Sequence, residues 1–174
     1  MEVYIVRHGQ VPHNVLKQYN VKDEDLTNIG IEQALELKEK IRDIDFDIIY
    51  SSPLIRAKHT AEIITDNNKS IIFDDRLKER NCGSLSGQSL KVTNRSEYWN
   101  YYTNIQYGTS ENIKDFFKRV SNFLNELKTK DYESVLIVGH SGVSKAFSGY
   151  FEGIKDGKFL DRGLKNCELK KYEL

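Results

Sequence analysis

Two uninterrupted apolar runs, Val3-Tyr4-Ile5-Val6 and Val135-Leu136-Ile137-Val138, predict strands buried on both faces. A strand with one wet face would alternate instead. They place strands at residues 2–6 and 134–138. Phe46-Asp47-Ile48-Ile49-Tyr50 predicts another at 46–50, stopped by Ser51-Ser52-Pro53, and a short one is expected at 70–73. Residues 167–174 read as a last strand at a sheet edge, where Lys170 and Lys171 are tolerated. Between these runs the spacing becomes helical. Residues 28–41 carry Ile31, Ala34, Leu35, Leu37 and Ile41 behind a Thr27 N-cap. Residues 54–65 and 141–150 also read as helices. The clearest amphipathic pattern is 112–127, with Ile113, Phe116, Phe117, Val120, Phe123, Leu124 and Leu127 on one side and Asn112 with Asp115 resembling a cap. Strands alternating with helices predict a three-layer α/β/α sandwich around a mostly parallel sheet.

At 174 residues the chain is expected to be one domain. Lys+Arg and Asp+Glu both number 26, so there is no basic excess for a nucleic-acid or membrane surface. Any attraction for an anion must be local. The two cysteines make neither a disulfide framework nor a zinc spacing, and no metal or cofactor is expected. The N-terminus lacks a secretory pattern, and the cytoplasm is the expected location. Oligomeric state cannot be read.

The chemistry gathers where strands end. The first run leads into Arg7-His8-Gly9 and the second into Gly139-His140-Ser141-Gly142, while Arg56 follows Ser51-Ser52-Pro53. Ligands of such sheets bind beyond the carboxyl ends of the strands. Each residue has an ordinary explanation: Arg56 as a surface ion-pair partner, the histidines as satisfied turn residues. If the three strands are parallel, all four side chains converge into an anion pocket, and phosphate is the favoured anion. The helix beginning at Ser141 would add N–H groups and a favourable dipole.

These residues also carry a resemblance. Arg7-His8-Gly9-Gln10 with Asn14, Ser51-Ser52-Pro53-Leu54-x-Arg56-Ala57, Leu77-x-Glu79-x-x-x-Gly83 and Val138-x-His140 occur in the order seen in the histidine phosphatase superfamily. The match resembles its phosphoglycerate-mutase-like group, in the compact phosphatase branch. Leu26-Thr27-x-x-Gly30-x-x-Gln33-Ala34 and Glu111-Asn112-x-x-Asp115-Phe116-x-x-Arg119-Val120 are similar to further helices of that group.

The resemblance implies that His8 attacks phosphorus and becomes phosphohistidine. Arg7, Arg56 and His140 would hold the phosphoryl oxygens, and Glu79 would serve as general acid and base. It implies substrate contacts for Gln10, Asn14, Arg80 and Ser141, with Arg80 resembling an arginine that binds a carboxylate in true mutases. It makes about 83–110 a segment covering the site, in which Tyr98, Trp99, Tyr101, Tyr102 and Tyr107 either stack on a substrate ring or pack the cover onto the sheet. His13 and His59 are expected to be surface or helix residues without a role. Where the family often has threonine, this chain has Val11, then Pro12 stiffening the loop. Ser86-Gly87 replaces a frequent Glu-Gly, and Asn112 replaces serine.

The expected activity is hydrolysis of small phosphate monoesters without a metal. A mutase would share the pocket, and a phosphate-binding module without catalysis is the rival of another class. A thiol phosphatase is excluded, because Cys82 and Cys167 have Gln88 and Glu173 where Cys-x5-Arg requires arginine. A small ester, α-ribazole phosphate, a sugar or acid phosphate and protein phosphohistidine all remain open as substrates.

Overall fold

The computed structural model describes residues 1–66 and 69–174. Its strands are β1 (Glu2–Arg7), β2 (Ile48–Ser51), β3 (Ile71–Phe73), β4 (Ser134–Gly139) and β5 (Leu169–Glu173), ordered β3-β2-β4-β1-β5 in one sheet. β1, β2 and β4 are neighbours and parallel, β3 extends them in parallel beside β2, and β5 closes the other edge antiparallel to β1. The edge position expected for the last strand is therefore observed. Its Lys170 and Lys171 pair with Glu152 and Glu2.

The helices are α1 (Pro12–Leu16), α2 (Asn28–Ile41), α3 (Ile55–Ile64), α4 (Arg95–Tyr98), α5 (Ile113–Leu127) and α6 (Ser141–Glu152). Side chains alternate across each central strand, so β1 and β4 feed two cores. Tyr4, Val6, Leu136 and Val138 pack with Ala34, Leu37, Ala57 and Ala61 from α2 and α3. Val3, Ile5, Val135 and Ile137 pack with Phe116, Val120, Phe123 and Phe147 from α5 and α6. This is the expected three-layer sandwich. All seven apolar residues singled out on α5 are buried.

Several boundaries differ from the sequence expectation. The second strand is Ile48–Ser51 rather than 46–50. Just before it, the Asp47 carboxylate accepts from the backbone N–H groups of Glu133 and Ser134 at the start of β4. Asn112 caps α5 by accepting from the Lys114 N–H, not through Asp115. Helix α1 was not anticipated. Pro12 presets its first turn and Asn14 Oδ1 accepts from the Val11 N–H, so a five-residue helix forms where only a stiff loop was expected. Likewise α4, capped by Asn94, was not anticipated within the covering segment 83–110. Among the described residues, no helix is long and apolar enough to cross a membrane.

Candidate active site

The register of the sheet brings the strand ends together. Arg7 lies opposite Gly139, and Ser51 opposite Val138. Just beyond, the His8 N–H donates to the Gly139 carbonyl and the Ser52 N–H to the Val138 carbonyl. His8, Ser52 and His140 thus follow three adjacent parallel strands, and the two imidazole centroids stand 5.1 Å apart, edge to face. Two glycines allow the loop after β1 to press against the start of α2. A Cβ on Gly9 would overlap the Gly30 carbonyl, and one on Gly30 would overlap the Gln10 carbonyl. From α3, Thr60 accepts from the Gly9 N–H and donates to the Arg56 carbonyl, tying Arg56 to the histidine loop.

Hydrogen bonds select the tautomers. Nδ1 of His8 lies 2.7 Å from the Gly9 carbonyl, which can only accept. Nδ1 therefore carries the proton and Nε2 the lone pair. Nε2 of His140 lies 2.8 Å from Ser52 Oγ, which already accepts from the Leu54 N–H. When the Ser52 hydroxyl donates to Nε2, the His140 proton sits on Nδ1, which has no protein partner and is left for an anion. Burial is the largest cause holding both histidines well below the usual imidazole range. The Arg56 charge adds to it for both, followed by Arg7 for His8 and by His8 for His140. Both are neutral at pH 7.

The donors around them are buried without protein partners. Arg7 Nε, Arg56 Nε and Nη2, and His140 Nδ1 have none, and neither do Arg80 Nη2 and Trp99 Nε1. Buried donors are normally satisfied, because an orphan costs about 1–3 kcal/mol. So many in one place is the signature of an anion site. One nitrogen of each guanidinium is anchored: Arg56 Nη1 donates to the Val21 carbonyl, and Arg7 Nη1 to the Leu164 carbonyl. Among the described residues, neither guanidinium is in an ion pair with a carboxylate, so both charges remain free for a ligand.

Above this floor opens a cleft of about 220 Å³. Of the expected residues, Arg7, Asn14, Glu79, Arg80 and Ser141 line it, while His8, Arg56 and His140 are almost fully withdrawn from solvent. Gln10 is not on its wall; Gln10 Oε1 accepts from Thr27 Oγ1 at the start of α2. Glu79 is fixed at the N-terminus of α6. Its Oε2 accepts from the Gly142 N–H at 3.0 Å and its Oε1 from the Arg80 N–H at 2.8 Å. Arg80 is not a surface residue; its Nε donates to the Glu111 carbonyl, and its guanidinium lies 4.0 Å from the Tyr98 ring centroid.

His13 is a helix residue, on α1. It is buried on the cleft wall and paired through Nδ1 with Glu24, whose other oxygen accepts from the His13 N–H. Its burial follows from α1, the helix the sequence reading missed. His59, by contrast, is a half-exposed partner of Asp25. Lys145 and Arg95 also line the cleft unforeseen. A lysine between Val143 and the Ala146-Phe147 pair of helix α6 was the available signal for the first. Of the aromatic residues, Tyr98 and Trp99 line the cleft and also pack edge to face. Tyr101 packs on Phe117 in the core.

Neither cysteine is poised as a nucleophile. Cys82 is buried and donates to the Asn20 carbonyl, and burial pushes the Cys167 thiol up to about 12. Among the described residues, no group of three or more His, Cys, Asp or Glu side chains could hold a metal ion.

Comparison with known proteins agrees with this geometry. Fructose-2,6-bisphosphatase TIGAR of Xenopus tropicalis is 35% identical over 164 residues, covering 84% of this chain and 60% of the relative. Phosphoserine phosphatase 1 of Hydrogenobacter thermophilus is 28% identical over 176 residues, covering 96% and 83%. The crystal structure of the α-ribazole phosphatase from Shigella flexneri superposes with a TM-score of 0.86 at 25% identity, covering 100% of this chain and 91% of that one. The family model for branch 1 of the histidine phosphatase superfamily matches residues 3–174. With its paired histidines on adjacent parallel strand ends, the chain belongs to that superfamily.

Proposed function

We propose that the protein hydrolyses small phosphate monoesters through a phosphohistidine on His8. The observation that carries this reading is the group of buried, unpartnered donors on Arg7, Arg56 and His140 around a neutral imidazole whose Nε2 lone pair is free. In the first step Nε2 attacks phosphorus, the P–O ester bond breaks, and Glu79 gives its proton to the leaving oxygen. In the second, Glu79 takes a proton from water, the hydroxyl adds to phosphorus, and the P–N bond breaks to restore the lone pair. Arg7 and Arg56 neutralise the phosphoryl oxygens throughout, with His140 donating from Nδ1. The scheme calls for no metal, because the side chains supply the positive charge. The segment 83–110 covers the site by contributing Arg95, Tyr98 and Trp99 to its wall.

The test is inorganic phosphate release from a panel of monoesters by wild type and His8→Ala, with acid- and base-quenched samples assayed for labelled protein. Release by wild type alone, with an acid-labile and base-stable label, supports the reading. Isomer exchange without release would favour a mutase. Binding without either would favour a docking module.

A further inference from the structure

We propose that His13, held by Glu24, is a second proton-transfer group of this cleft: it takes the proton of the water that hydrolyses the phosphohistidine and passes it to Glu79. The inference rests on the phosphohistidine reading above and adds a catalytic residue to it.

His13 is the second residue of α1 and stands beside Asn14 on the cleft wall. Glu24 grips it twice. One carboxylate oxygen accepts from the His13 backbone N–H at 3.0 Å, and the other pairs with Nδ1. A carboxylate only accepts, so Nδ1 carries the proton and Nε2 the lone pair of the neutral ring. Glu24 is not among the residues lining the cleft, so the Nδ1 edge of the ring faces away from it and the Nε2 edge faces into it. Among the described residues, Nε2 has no hydrogen-bond partner. A histidine steadied from behind by a carboxylate, with its other nitrogen free, is arranged for proton transfer.

Place and charge suit the task. At ~30 Å³ of liquid volume per water, a cleft of about 220 Å³ holds only a handful of waters. Across that short space His13 feels the charges of Arg56 and Glu79, and His8 feels His13 in turn. Burial is the main cause that lowers His13 from the usual imidazole range; Glu24 opposes it and Arg56 adds to it. The ring is therefore neutral at pH 7 and able to accept a proton.

The step balances. The water oxygen bonds to phosphorus as the P–N bond breaks, and that electron pair returns to Nε2 of His8. The water proton goes to Nε2 of His13, forming an imidazolium that Glu24 neutralises. The imidazolium then gives the proton to the Glu79 carboxylate, which lost its own to the leaving oxygen in the first step. Both residues regain their starting forms.

The two steps are timed separately with radiolabelled p-nitrophenyl phosphate, whose leaving oxygen needs no proton. Rapid-quench samples of a single turnover give the formation and the decay of labelled protein. His13→Gln keeps a donor for Glu24 but has no basic nitrogen. It should slow decay about 100-fold and change formation less than about threefold. Imidazole added to His13→Ala should restore decay, which a packing role would not allow. In Glu79→Gln the first acceptor of the water proton is still present, so decay should lose less than about tenfold. That comparison leaves α1 intact and decides the matter even if the His13 variants do not fold. Unchanged decay in His13→Gln, or a loss of about 100-fold in Glu79→Gln, overturns the inference and leaves Glu79 as the direct base. Equal slowing of both steps in His13→Gln, without imidazole rescue of His13→Ala, overturns it by making His13 a packing residue. A wild type that never carries label overturns the phosphohistidine reading itself, and the relay with it.

Discussion

Ser52 Oγ stands 2.8 Å from Nε2 of His140, and both residues are buried at the ends of neighbouring parallel strands. This contact decides which imidazole nitrogen faces an anion. With Nε2 engaged by Ser52 Oγ, Nδ1 is the nitrogen left without a protein partner, and a proton there requires the Ser52 hydroxyl to donate to Nε2. Ser52→Ala removes that bias. We expect kcat/KM for monoester hydrolysis to fall about tenfold, the scale of one lost buried hydrogen bond of ~1.4 kcal/mol. Imidazole 15N shifts should show His140 redistributing between tautomers. Unchanged kinetics with an unchanged tautomer would contradict the assignment.

Gly142 makes room for the acid. A Cβ there would overlap Glu79 Oε1 and come within 2.9 Å of the Trp99 ring. Gly142→Ala should therefore mimic Glu79→Gln. For alkyl phosphates, whose leaving oxygen needs a proton, turnover should drop about 100-fold, the lower end of general acid–base contributions. For p-nitrophenyl phosphate, the loss should be at least ten times smaller. An equal loss on both esters would assign the damage to the phosphate floor instead.

Stability should depend on pH through the two neutral histidines. In the unfolded chain each takes up a proton below about 6.5, whereas in the fold burial and the Arg56 charge keep both neutral well below that. The unfolded state then binds more protons, so stability is full above about pH 6.5 and declines as pH falls toward the folded values. The slope is about 1.4 kcal/mol per pH unit for each histidine in that window. Urea melts between pH 7 and 5 measure it, and His140→Gln should lessen the slope. A wild-type curve flat across that range would show that the imidazoles titrate normally in the fold.

Asn166 holds the loop of the candidate nucleophile from the far end of the chain. Its Nδ2 donates to the His8 carbonyl at 2.9 Å and to Asn14 Oδ1 at 3.2 Å. Asn166→Ala should lower kcat about fivefold, corresponding to ~1 kcal/mol, with a smaller change in KM. Asn166→Asp, which cannot donate, should behave alike. A rise confined to KM would instead place Asn166 in substrate binding.

Much of the site was legible because parallel strands of this kind announce themselves. Val3–Val6 and Val135–Val138 are apolar at every position, and each run ends on a residue that is plainly not core: Arg7 in one, His140 after Gly139 in the other. Strand polarity then delivers both ends to one edge of the sheet. Glu79 was harder, since it sits in a charged run that reads as solvated surface. Its place depends on Gly142, 63 residues later, supplying an N–H and an absence of side chain. Helix α1, which buries His13, was not read because it is only five residues long, too short to show a period.

The sequence by itself determined the layers and the chemical inventory. Periodicity is local, and burial of a strand or helix face follows from neighbours two to four residues apart. It also named the histidines and arginines that converge, and, through the family resemblance its motifs carry, Glu79. Only the tertiary structure decided the protonation pattern, the withdrawal of Gln10 to the start of α2, and the arrival of Lys145 beside Trp99. These depend on hydrogen-bond partners and on burial supplied across the sheet by distant segments. A residue's type states what bonds it can make, and the fold decides which of them are left for a ligand.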